Sequence, residues 1–182
     1  MHSSSFADIF FVMLQILRTT DPSKYVAVFD IDDTILQNNA KAQCTATLIQ
    51  PIHNVYQILK KHNIPIYFVT AREYNEENDF ITKQQLQCLD LHHYTSLFMR
   101  PRAFNTMSDI AMFKSICREN IMQSSGKKIL FNIGDQFTDL ISDIDVPEFD
   151  SLTRKYDDCY ALFKPMQRDF AEWAVKLPSL NK

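Results

Sequence analysis

The stretch that decides the reading is Tyr25–Leu36, YVAVFDIDDTIL. Tyr25–Ile31 is short, apolar and rich in β-formers, the pattern of a strand buried on both faces. Its end turns acidic: Asp30 closes the apolar run and Asp32 and Asp33 follow at once. In parallel α/β sheets, ligands bind beyond the carboxyl ends of the strands. The stretch therefore predicts both a buried parallel strand and the place where a site should lie.

Further segments extend the alternation. Ile64–Thr70, IPIYFVT, and Lys128–Ile133, KILFNI, read as two more buried strands, with Ser96–Met99 a shorter one and Tyr160–Phe163 a weak last one. Apolar residues at helical spacing predict helices over Phe6–Leu17, Pro51–His62, Asn75–Leu89, Asp109–Asn120, Gln136–Ile141 and Met166–Val175. Pro51 suits a first turn, Asn63 a left-handed carboxyl-terminal cap, and Ser108 an amino-terminal cap. Strands alternating with helices predict a mainly parallel sheet covered on both faces.

Composition narrows the function. The 182 residues are 46% hydrophobic and 23% charged, a globular balance that fits one domain of ordinary size. The net charge of −3 gives no basic excess for a nucleic-acid backbone. Phe6–Leu17 is too short for a membrane span, and residues 1–5 carry no Lys or Arg to open a signal peptide, so a cytoplasmic location is expected. Cys44, Cys88, Cys117 and Cys159 are widely spaced without CxxC and read as reduced thiols. Only Gly126 and Gly134 are glycines, which excludes glycine-rich phosphate loops. The five histidines, His2, His53, His62, His92 and His93, fit no triad or metal spacing and read as surface residues.

The strand ends carry the chemistry. The first ends in Asp30 and Asp32, the second in Thr70-Ala71-Arg72, and KILFNI in Gly134-Asp135 with Asp139 four residues on. Paired carboxylates divide roles between nucleophile and general acid. Several carboxylates at one point repel unless a hard cation joins them, and oxygen ligands favour Mg²⁺. Thr70 offers a hydroxyl for a phosphate oxygen, and Lys114 lies next to Phe113 on the buried face of its helix, within reach of the strand ends. Gly134 before Asp135 marks a tight turn, needed for positive φ or close approach of the chain.

In this order the segments FDIDDTIL (29–36), IYFVTAR (66–72), MFKSICREN (112–120) and NIGDQFTDL (132–140) resemble the four motifs of the haloacid dehalogenase superfamily of phosphohydrolases. They are most similar to subfamily IIIB, the acid phosphatase branch that includes plant acid phosphatases and vegetative storage proteins, with patterns FDIDET, VTGR and NIGDQWSD. LKKHNIPIYFVTAR also resembles that branch, and YALFKP more weakly; the resemblance covers about residues 24–165. Ala71 stands where that branch has Gly, and Asp33 where it has Glu or Gly.

The resemblance implies a Rossmann-like three-layer α/β/α sandwich with Tyr25–Ile31 central between Ile64–Thr70 and Lys128–Ile133. The intervals from Thr34 to Thr70 and from Thr70 to Lys114 hold only connections and single elements, so no large cap domain is expected. The N-terminal helix within residues 1–22 is expected to pack on the core, and it, residues 36–47 or a second subunit of a homo-oligomer are candidate covers for an open site. The resemblance further implies a phosphomonoester substrate, Mg²⁺ and an aspartyl-phosphate on Asp30. Asp32 would serve as general acid and base, and Thr70, the Ala71 amide and Arg72 would hold the phosphoryl group. Lys114 would neutralise charge. The metal would sit on Asp30, the Asp32 carbonyl and Asp135, with Asp139 orienting metal waters or Lys114. Two rivals stand beside this reading: a nucleic-acid-end or nucleotide phosphatase, and a non-catalytic binding or storage protein on the same fold.

Overall fold

The computed structural model describes residues 3–37, 44, 46–141, 159–164 and 171–178. At its centre is β2 (Tyr25–Phe29), buried from Val26 onward. It pairs in parallel with β3 (Ile66–Glu73) on one side and β5 (Lys128–Gly134) on the other. Outside these lie β4 (Ser96–Arg100) and β7 (Ala171–Lys176), also parallel. β6 (Tyr160–Phe163) runs antiparallel on β7, and β1 (Ser3–Ser4) antiparallel on β6. The order is β1-β6-β7-β5-β2-β3-β4, with the first strand predicted at the place expected for it.

Alternation along the strands divides the core. Ala27, Phe29, Ile66 and Phe68 pack in one cluster with Ile9, Met13 and Leu17 of α1 (Phe6–Thr19), Tyr56 and Leu59 of α2 (Gln50–Lys61) and Leu86 of α3 (Glu76–Cys88). Val26, Val28, Tyr67 and Val69 face the other way, onto Phe113, Cys117 and Ile121 of α4 (Met107–Ser125). A register shift sets Ile129 opposite Val26 and Phe131 opposite Ala27, so Leu130 and Phe131 both serve the first cluster. The layers are helix, sheet and helix, and the described residues include no large cap.

Caps follow local chemistry. Asn63 takes φ 56° after α2, where its amide donates to the Lys60 carbonyl and that of Ile64 to Leu59, closing the helix end as expected. The start of α4 lies two residues earlier than the sequence suggests: Thr106, not Ser108, is the cap, because Asp109 at the third position reaches back to the Thr106 amide.

Two expectations are corrected. The helix expected over Met166–Val175 is a strand where the structure describes it, Ala171–Lys176; residues 166–170 lie outside the described residues. β5 offers a ladder edge, and docking there buries Ala171, Ala174 and Val175 and sets Trp173 opposite Phe131. Tertiary pairing overrides an ambiguous pattern. The cysteines are not all reduced: Cys44 and Cys88, 5.3 Å apart at Cα, form a disulfide, while Cys117 and Cys159 are free. Forty-four positions separate the pair, so no sequence spacing announced it, and the thiols no longer support a reducing compartment. No helix among the described residues is long and apolar enough to cross a membrane.

Candidate active site

Three strand ends and one helix build the site. After β2 the chain makes a tight loop in which the Asp33 amide donates to the Leu36 carbonyl at 2.7 Å and the Leu36 amide to Ile31 at 3.0 Å. The loop needs one left-handed residue, and Asp33 supplies it at φ 54°, a conformation that Asp tolerates. Asp30 is thereby held at the mouth of the sheet, its amide bonded to the Ile133 carbonyl of β5. Thr34, fully buried, ties the two strand ends together. Its Oγ1 accepts from the Asp135 amide at 3.1 Å and lies 3.5 Å from Asp30 Oδ2 and 3.4 Å from Asp135 Oδ1.

Beyond β5, the short α5 (Phe137–Leu140) turns Asp139 back over the strand end. Its Oδ2 accepts from the Gln136 amide at 2.9 Å. Its carbonyl accepts from Asn132 Nδ2 and a guanidinium nitrogen of Arg118, each at 2.7 Å. Close approach, not positive φ, explains Gly134: a Cβ there would lie 2.4 Å from Asp139 Cβ and 2.6 Å from its Oδ2. Gly134→Ala is accordingly expected to displace Asp139 and to cost about 1–3 kcal/mol by overpacking. Thermal unfolding should show a loss of several degrees, and an unchanged midpoint would refute this account of the glycine.

Lys114 enters from α4 and is buried. Its Nζ donates to Asp30 Oδ1 at 2.8 Å and to Asp139 Oδ1. From β3, Thr70 is fully buried and its Oγ1 accepts from the Arg72 amide at 3.2 Å. Arg72 grips Asp32 with both prongs of its fork, each at 2.8 Å. The guanidinium is fixed from behind by Thr82 at 3.0 Å and Gln85 at 2.6 Å, two buried polar residues of α3. The Ala71 carbonyl accepts from Arg100 Nε at 2.7 Å.

Asp30, Asp135, Asp139 and Lys114 are thus brought into one buried cluster, with Asp32 and Arg72 paired beside it. Thr34, Thr82, Gln85, Asn132 and Arg118 escaped the sequence reading as site residues. Thr34, Arg118 and Asn132 stood in the quoted segments 29–36, 112–120 and 132–140 without being singled out; Thr82 and Gln85 belong to a helix face that only the assembled fold brings to the site.

Carboxylates outnumber cations here, and the electrostatics register it. Burial holds the Asp30 carboxyl well above the usual range; Asp139, Asp135 and Asp32 push the same way, against Lys114. Burial, then Asp139, raises Asp135 to about 6. For Lys114, burial works against the charge, but Asp139 and Asp30 more than offset it and keep the ammonium protonated. Carboxylate oxygens of Asp30, Asp135 and Asp139 lie within 4.8 Å of one another. Hard oxygen donors in negative excess suit a divalent cation of the Mg²⁺ kind. The Asp32 carboxylate, engaged by Arg72, is outside that group.

Residues 40–156 match the family model described as HAD superfamily, subfamily IIIB (acid phosphatase). The match takes in Thr70, Lys114, Asp135 and Asp139; Asp30 and Asp32 lie just before it. Among solved structures, the chain is similar to the class C acid phosphatase from Bacillus anthracis with tungstate bound, at 14% identity and TM-score 0.56, over 79% of this chain and 65% of that one. That likeness is one of fold. A chain of the Pnkp1/Rnl/Hen1 complex is similar at 19% identity and TM-score 0.48, over 62% of this chain and 39% of that one. One from the Pnkp1/Rnl/Hen1 RNA repair complex is similar at 16% and 0.46, over 63% and 37%. This chain therefore spans about two fifths of the length of those two. No curated protein matches it.

Proposed function

Because the chain belongs to the haloacid dehalogenase superfamily, subfamily IIIB, whose description is acid phosphatase, we propose that it is a Mg²⁺-dependent phosphomonoesterase working through an aspartyl-phosphate on Asp30. The observation that carries this reading is the buried contact of Lys114 with Asp30 and Asp139 beside Asp135. A carboxylate nucleophile has there the one cation that steadies it and the donors for a second.

In the first half-reaction an Asp30 oxygen bonds to phosphorus as the ester P–O bond breaks, and Asp32 gives the departing oxygen a proton. In the second, Asp32 takes a proton from water, whose oxygen bonds to phosphorus as the Asp30–phosphorus bond breaks. Arg72, braced by Thr82 and Gln85, positions the Asp32 carboxylate, and one of its two hydrogen bonds to Asp32 must be given up for that oxygen to carry the proton. The Thr70 hydroxyl and the Ala71 amide receive phosphoryl oxygens, and Lys114 offsets charge on nucleophile and phosphoryl group. Asp30, the Asp32 carbonyl and Asp135 would hold Mg²⁺, which when bound neutralises charge between nucleophile and phosphoryl oxygens; Asp139 would orient its waters while keeping Lys114 in place.

Turnover of a generic aryl phosphate with and without Mg²⁺ tests the activity. Mg²⁺-dependent hydrolysis is the expected result. Absence of turnover on a panel of aryl, sugar and nucleotide phosphates would favour the non-catalytic rival.

The metal has a second readout in stability. Asp135 titrates near 3.8 when unfolded and at about 6 when folded, and Asp30 moves in the same direction. Groups raised in this way contribute stability at low pH that is lost as pH rises through the folded value. A bound cation reverses the sign by favouring the ionised carboxylates. The rise in melting temperature on adding Mg²⁺ should therefore be near zero at pH 4–5 and largest above about pH 7, where 100 Kd of ligand adds about 2.7 kcal/mol. Asp135→Asn should abolish most of it. A Mg²⁺ increment independent of pH, or intact in that variant, would contradict the assignment.

A further inference from the structure

Beyond α3 the chain turns into β4 at the end of the sheet opposite Asp30. Asp90, His92 and His93 converge there, although the histidines read as surface residues without metal spacing. We propose that these three residues form a second cation site, for a borderline divalent ion of the Zn²⁺ kind.

Ligand atoms of all three lie within 4.8 Å of one another. His92 Nδ1 is 3.5 Å and His93 Nε2 3.9 Å from the same oxygen, Asp90 Oδ1. The imidazole centroids are 4.1 Å apart. Lys60, the nearby cation, lies toward the other oxygen, Asp90 Oδ2, at 3.9 Å. The face of the carboxylate turned to the histidines is thus left to them.

The backbone that carries these donors is anchored, so the site is largely formed before an ion arrives. Asp90 sits at φ 56° in the turn that closes α3. Leu91 next to it is fully buried, and its amide donates to the Leu86 carbonyl at 2.8 Å. The His93 amide donates to the Tyr56 hydroxyl at 3.0 Å, and the Thr95 amide to Ile66 at 2.7 Å. Anchored at Leu91, His93 and Thr95, the segment Asp90–His93 presents two nitrogens and one oxygen to solvent.

The donor set decides the ion. Two imidazoles and one carboxylate suit Zn²⁺ and its borderline neighbours, with water filling the remaining positions. Mg²⁺ prefers oxygen and suits the carboxylates at the other end of the sheet. The two sites are thereby distinguishable by metal, and the proposal stands apart from the phosphatase reading.

Calorimetric titration with Zn²⁺ in saturating Mg²⁺ tests it on the full chain. Wild type should take up one Zn²⁺ at this site. His92→Gln, His93→Gln and Asp90→Asn should each weaken it at least about tenfold, the loss that even outer-shell partners of a metal command. His62→Gln should leave it unchanged. Asp90, His92 and His93 are exposed and His62 is half-buried, and circular dichroism checks that each variant is folded. Wild type without a Zn²⁺ site under Mg²⁺, or Zn²⁺ affinity indifferent to the three substitutions, would overturn the proposal. Turnover is not read, so failure here is separate from failure of the phosphatase reading.

Discussion

Asp30→Asn is expected to lower turnover of any phosphomonoester substrate by at least about 10³-fold. The amide keeps the shape and can still accept from Lys114, but it lacks the charge to attack phosphorus. It also removes one of the crowded carboxylates, so the folded state should not suffer: burial and three neighbouring carboxylates already oppose ionisation of Asp30. The variant should therefore combine near-complete loss of activity with a melting temperature, without metal, at or above wild type. Steady-state kinetics beside thermal unfolding reads both. Activity within tenfold of wild type would remove Asp30 from the nucleophile's role.

Lys114→Met is the second large effect, and it should strike stability as well as turnover. The substitution nearly conserves volume but leaves Asp30 and Asp139 facing each other in a buried space with no cation between them. Breaking a buried pair by removing one partner costs about 3–5 kcal/mol. For a chain of this size that is a fall of roughly 6–20 °C in melting temperature. The deficit should shrink as pH falls, since the stranded Asp30 carboxylate, already held high by burial, recovers by taking up a proton, and shrink also with Mg²⁺. Lys128, by contrast, starts β5 in an exposed pair with Glu172, 3.5 Å away. Lys128→Met should change stability by less than about 1 kcal/mol. Equal effects of the two substitutions on unfolding would contradict the assignment of Lys114.

How far the sequence could be read follows from what each element depends on. β2, β3 and β5 were legible because strands buried on both faces must be apolar throughout, and their acidic or hydroxylic ends stood out against that background. Gly134 was legible as a constrained position, although only the structure chose close approach to Asp139 over positive φ. β7 was not, because the apolar residues of Ala171–Lys176 fit helical spacing as well as a strand, and docking on β5 decides between them. The Cys44–Cys88 bridge depends on a return of the chain that no local spacing encodes. Arg72 illustrates the limit at the site itself. The phosphoryl group was its partner in prospect; the fold sets it on Asp32, with Thr82 and Gln85 behind it. Two polar residues three apart on a helix become a brace only when that face is buried.

The central claim, that Asp30 carries the phosphoryl group between ester and water, is tested most directly by the stereochemical course at phosphorus. The substrate is an ester made chiral with sulfur and oxygen isotopes, hydrolysed by the wild-type protein with Mg²⁺. Two successive in-line displacements, first by Asp30 and then by water, predict overall retention of configuration. Inversion would mean that water attacks the ester directly, and would contradict the account.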